Sequence, residues 1–199
     1  MSEQITVKYV INEMLDMSII PNKYVAHWDE TKYVTMSSFV FLVPSMYSYC
    51  NEIYTHAIIL FLASIISANF WRDASYSYRR ILDRIISKIA FILLFKDALI
   101  YVRHVPRVMI VFNIFVAFMS CYYYSNKYCG KSPVWWKYHV SFHLLATVEQ
   151  LIIINSMIDY NHSLYNHSLY NHSLYNHSLY NHSLYNHSLY NDCKQYKIE

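Results

Sequence analysis

Five apolar stretches follow one another between residues 34 and 158, and they restrict the fold more than any other feature of the chain. They are Val34–Tyr49, Tyr54–Trp71, Ile85–Val102, Val108–Tyr124 and Tyr138–Ile158. A helix needs about 20 mostly apolar residues to cross a bilayer, with a range of about 17–25. Four stretches meet that length. The first is shorter, is interrupted by Pro44, and reads as a short span or a re-entrant piece. Only 15% of residues are charged, against roughly 25% in soluble domains. The expected fold is therefore all-α: a polytopic transmembrane helix bundle of four to five spans. Aromatic residues mark the segment ends, at Trp71, Tyr122–Tyr124 and Trp135–Trp136. Their rings favour the headgroup level.

Three regions follow from this pattern. Residues 1–33 are polar, with Val7, Ile11, Met14, Leu15 and Ile19 at helical spacing, which predicts a short amphipathic helix. This opening stretch carries acids and lacks an apolar core, so no cleavable signal peptide is expected. Residues 34–158 form the membrane domain. Residues 159–199 form a tail holding six copies of Asn-His-Ser-Leu-Tyr, from Asn161 to Tyr190. Low hydrophobicity and the lack of a run able to bury a core predict a disordered tail. The evenly spaced histidines make it a compositional candidate for transition-metal binding.

Lys and Arg set the expected orientation, because cytoplasmic connections carry the excess of basic residues. Lys8, Lys23 and Lys32 precede the first segment. Arg72, Arg79, Arg80 and Arg84 follow the second, and Lys127, Lys131 and Lys137 follow the fourth. The alternate connections hold only Arg103 and Arg107. The N-terminus is then cytoplasmic and the tail lumenal or extracellular, whether or not the first segment spans. On that side Asn161, Asn166, Asn171, Asn176, Asn181 and Asn186 become acceptors for N-linked glycan, since each begins Asn-His-Ser.

Several functions are excluded. A net charge of +3 with no basic aromatic patch argues against nucleic acid as a partner. The single glycine, Gly130, rules out a phosphate-cradling loop and a dinucleotide fingerprint. The four cysteines show no metal-binding spacing. The lipid bilayer is the partner the composition demands, and other membrane proteins are compatible with it. No cofactor is called for by composition.

Charges inside the segments are the remaining signal. Lys96 lies 12 residues beyond Arg84, and Glu149 lies 12 beyond Lys137. At about 1.5 Å per residue both fall roughly 18 Å into the bilayer. A lone charge there is costly. Opposite charges at equal depth predict a Lys96–Glu149 ion pair, with Asp97 as a competing partner for Lys96.

His139 and His143 are four apart and share one face of a helix. Such a pair can hold a metal through two imidazoles. The alternation of segments brings them to one membrane face with Ser67 and Asp83. These four residues resemble the site of the CREST superfamily of membrane hydrolases and receptors, which includes alkaline ceramidases and adiponectin-type receptors. The resemblance covers about residues 60–150. In that family a Ser-x-x-x-His pair, a following Asp and a His-x-x-x-His near the last helix build a zinc site in a seven-helix bundle. It implies zinc held by His139 and His143, with Asp83 orienting a bound water and Ser67 supporting an oxyanion, for hydrolysis of a lipid amide or ester. This chain departs from the pattern twice: Trp71 stands where the family has its first His, and three apolar segments follow Asp83 where the family has five. A degenerate, inactive relative is the form the resemblance favours.

Overall fold

The computed structural model describes residues 17–20 and 22–195, with side chains to residue 165. The expected amphipathic helix of the N-terminus falls mostly on residues 1–16, outside the described ones. Among the described residues the chain is helical, with one isolated strand-like bridge. Residues 1–157 form one unit and 158–199 a second.

The first pass runs without a gap from Trp28 to Cys50, as α1 (Trp28–Ser38), a 3-10 segment η1 (Phe39–Phe41) and α2 (Leu42–Cys50). Pro44 explains the tightened middle: it has no N–H to offer the Val40 carbonyl, and its ring crowds that carbonyl. The hydroxyls of Ser37 and Ser38 lie 2.9 and 3.0 Å from Val34 O and compete with the same helical ladder. At the start, Asp29 and Glu30 lie in the first turn, where the helix dipole favours anions.

α2 ends in a Schellman motif. Ile53 N–H donates to Ser48 O at 2.9 Å, and Glu52 N–H donates to Tyr49 O at 3.1 Å. The motif needs a left-handed residue, and Glu52 supplies it at φ 62°. Glycine takes that conformation without the Cβ penalty. Glu52→Gly is therefore expected to stabilise the protein by about 0.5–1 kcal/mol, read as a raised melting temperature in detergent. A lowered one would reject the assignment.

α3 (Tyr54–Trp71) buries His56, Leu60, Ser64, Ser67 and Trp71, at steps of four and three, on one face. α4 (Tyr78–Tyr101) and α5 (Val105–Tyr128) are 24 residues each. Pro106 sits in the first turn of α5, where its missing N–H costs nothing. A type II turn follows: Lys131 N–H donates to Tyr128 O at 2.9 Å, with Gly130 at φ +67°. The only glycine stands where the backbone needs it. A Cβ there would also meet Val25 O at 3.0 Å. α6 (Trp135–Gln195) closes the chain.

Among the described residues three helices are long and apolar enough to cross a membrane: Tyr54–Trp71, Val105–Tyr128 and Trp135–Tyr165. That is fewer than the four to five the apolar stretches predict. The first stretch is broken up around Pro44. α4 has the length but carries Lys88, Lys96 and Asp97 within its apolar part. Large apolar side chains stand exposed along these helices, among them Phe112 at 64% and Leu99 at 71%.

Chain direction alternates from helix to helix, so the basic groups from Lys23 to Lys32, from Arg72 to Arg84 and from Lys127 to Lys137 gather at one end. There residues 23–25 run antiparallel to 74–76, with Val25 N–H donating to Ala74 O at 2.7 Å and Tyr76 N–H to Lys23 O at 2.9 Å. Val34, Phe70, Trp71, Ala74 and Trp135 form the core of this end. Tyr33 stacks on Trp136 with ring centres 4.3 Å apart, and the Trp135 indole N–H donates to Glu30. Lys23 and Arg80 both lie over the Tyr76 ring, at 4.2 and 4.0 Å. Leu94, Val102, Val111 and Ile153 form a second core deeper in the bundle.

In the second unit the expected disorder is not seen in the described residues, whose backbone is helical to Gln195. The 30 repeat residues contain neither Gly nor Pro, so nothing in them breaks a helix. A five-residue period advances about 140° beyond a full turn per copy, so the repeats offer no continuous apolar stripe. Asn161 is exposed. The side chains of Asn166, Asn171, Asn176, Asn181 and Asn186 lie outside the described ones.

Candidate functional site

A cavity of about 300 Å³ opens at the basic end of the bundle, and Ser67, Asp83, His139 and His143 all line it. Ser67 arrives on the buried face of α3, and Asp83 on the second turn of α4. The two histidines stand one turn apart on α6, with ring centres 4.7 Å apart and planes at 79°. His143 is 2% exposed and His139 8%.

Both rings are held through Nδ1. His143 Nδ1 lies 2.8 Å from Ser37 Oγ. The single hydroxyl proton of Ser37 goes to Val34 O at 2.9 Å, so Ser37 Oγ accepts from His143 Nδ1–H. This assignment leaves the His143 lone pair on Nε2. His139 Nδ1 lies 2.8 Å from Ser125 Oγ. A second set of hydroxyls lies beside them: Ser38 Oγ, which is also 3.0 Å from Val34 O, lies 3.2 Å from Ser67 Oγ, and Ser67 in turn bonds the Asp83 carboxyl. Asp83 lies two residues before the apolar part of α4. Burial pushes its carboxyl up to about 7, against the Ser67 hydrogen bond and the Arg84 charge, which both pull it down. Arg80, also in the cavity wall, is 2% exposed.

Ser37, Ser38 and Ser125 are not marked by any motif. Their only sequence signal is a serine within an apolar run, which is common and local. The bonds that give them a role join residues 106 and 14 positions apart. Arg80 reads from the sequence as a loop charge, yet the Tyr76 ring covers its guanidinium.

The donor set falls short of a zinc centre. A catalytic zinc usually keeps three protein ligands. Among the described residues no group of three His, Cys, Asp or Glu converges. Trp71 fills the neighbouring space, its ring centre 4.6 Å from that of His139 at 66°, edge to face. The described residues bring two imidazoles to the cavity, one ligand fewer than a catalytic zinc usually keeps.

The expected Lys96–Glu149 pair is not formed. Lys96 Nζ lies 3.2 Å from Asp97 Oδ1 and its side chain is 58% exposed. Glu149 is 2% exposed, and its Oε2 has no hydrogen-bond partner. Equal depth does not fix the rotation of two helices about their axes, and Lys96 lies on the outer face of α4. Asp97 instead approaches His56 across α3 and α4, with Oδ2 3.1 Å from Nε2 and both side chains buried.

No protein-family model, no curated protein and no solved structure matches this chain.

Proposed function

We propose that this chain is a multi-pass integral membrane protein with a structural or interaction role rather than a catalytic one. The membrane location rests on the three long apolar helices and their exposed apolar faces. We extend the count to four or five passes. The apolar part of α4, 17 residues from Ile85 to Tyr101, reaches about 26 Å, and the gapless run from Trp28 to Cys50 returns the chain between the same two ends. The gathering of the basic regions at one end supports a cytoplasmic N-terminus and a tail on the other side. In a glycosylating host, some of the Asn161–Asn186 sites then carry glycan, and glycan removal shifts the gel band. Protease cleavage of the tail from the cytosolic side of sealed membranes would overturn this orientation.

The observation that carries the non-catalytic part is Trp71. It packs on His139 where the resembled family places a zinc-binding histidine. A second reading, a zinc-dependent hydrolase of lipid amides or esters, is favoured by one observation, the convergence of Ser67, Asp83, His139 and His143 on a single cavity. Metal analysis of the protein purified in detergent separates the two. The main reading expects no stoichiometric zinc. One zinc per chain, lost on His143→Ala, would replace it with the second.

A further inference from the structure

A second cavity, of about 270 Å³, lies between α4, α5 and α6. Every side chain that lines it is apolar except Glu149. Five are phenylalanines: Phe91, Phe95, Phe112, Phe115 and Phe118. Phe91 and Phe118 also line the first cavity and stand between the two, their ring centres 6.5 Å apart.

Glu149 is the informative residue. It is 2% exposed, and Oε2 is sealed from solvent without a hydrogen-bond partner. A buried carboxyl without a partner costs stability. The basic group of α4 expected to pair with it, Lys96, is bonded to Asp97 instead. A chain that keeps an acid at the only polar position of an aromatic cavity has a use for it.

We propose that this cavity binds a lipophilic monocation, an ammonium carrying alkyl or aryl groups. The cationic centre pairs with the Glu149 carboxylate. The faces of the phenylalanine rings attract the same charge through their quadrupoles. The organic substituents fill the apolar volume, which exceeds the roughly 150 Å³ known to accept benzene. Competing ligand classes fit less well. A small inorganic cation needs several oxygen ligands in place of its water, and the cavity offers one carboxylate. A neutral hydrocarbon fills the space but leaves Glu149 without a partner. A polycation lacks further acids. Phe95 and Phe112 are 48% and 64% exposed, so the wall opens toward the outer face of α4 and α5. With that face in the bilayer, where such cations partition, entry is lateral.

The test uses the full chain in lipid nanodiscs, with empty discs as background. Benzyltrimethylammonium is the probe, and neopentylbenzene is its neutral isostere. We expect saturable binding of the cation, weakened at least tenfold by Glu149→Gln. Ala98→Leu, which narrows the cavity and keeps the acid, should also weaken it. The neutral isostere should compete at least tenfold more weakly than unlabelled cation. Absence of saturable binding, or binding undiminished in Glu149→Gln, overturns the proposal. Equal competition by neopentylbenzene also overturns it, showing an apolar void that takes any hydrocarbon. That competition is read on the native chain, so it decides the matter even where Glu149→Gln fails to fold.

Discussion

Trp135→Ala is expected to lower stability by about 4 kcal/mol, within the range for truncating a fully buried aromatic side chain. Trp135 is 0% exposed. Its ring centre lies 5.5 Å from that of Trp71 on α3 and 6.1 Å from that of His139 on α6. Its indole N–H reaches Glu30 on α1. One side chain thus ties three passes together at the basic end. Trp135→Phe keeps most of the packing and loses only the hydrogen bond, so it should cost about 1–2 kcal/mol. Unfolding titrations in mixed detergent measure both variants. Equal losses would show that the bond to Glu30, rather than the packed ring, holds this end. A loss below about 1 kcal/mol for Trp135→Ala would show that the three passes are not joined there.

Asp97→Asn is expected to cost about 3 kcal/mol, and Lys96→Met less than about 1 kcal/mol. The asymmetry follows from burial. Asp97 is 2% exposed and faces the buried His56, so the substitution removes a carboxylate charge from a contact held inside the bundle. Lys96 is 58% exposed, so its ammonium is not held by the packing of the bundle. The same unfolding titrations decide between them. If Lys96→Met is the costlier of the two, the Lys96–Asp97 contact, not the His56–Asp97 one, secures α4.

Much of the architecture can be read from the sequence, because apolar length is a one-dimensional signal. Tyr54–Trp71 has the same bounds as apolar stretch and as helix. The helix from Val105 to Tyr128 extends its apolar stretch by three residues at the start and four at the end. Alternating direction is enough to bring Ser67, Asp83, His139 and His143 to one end. What the sequence hides is rotation about each helix axis. Lys96 and Glu149 agree in depth, but one faces outward and the other inward. The same ignorance conceals the serines that hold the histidines, since a hydroxyl on a helix gains a partner only when a distant pass is packed against it. The tail misleads for another reason. Low hydrophobicity measures the lack of a core and does not report the local backbone, which is helical to Gln195.

The exact repetition in that tail makes length a heritable unit. Each copy gained or lost by duplication of its coding unit changes the repeat helix by about 7.5 Å and turns its end by about 140°. Such a change disturbs no packed stripe, because the five-residue period provides none. Two successive additions rotate the far end by about 280°, so neighbouring lengths present their ends in different directions. Selection acting on this segment would act on a count, in whole copies, rather than on any single residue.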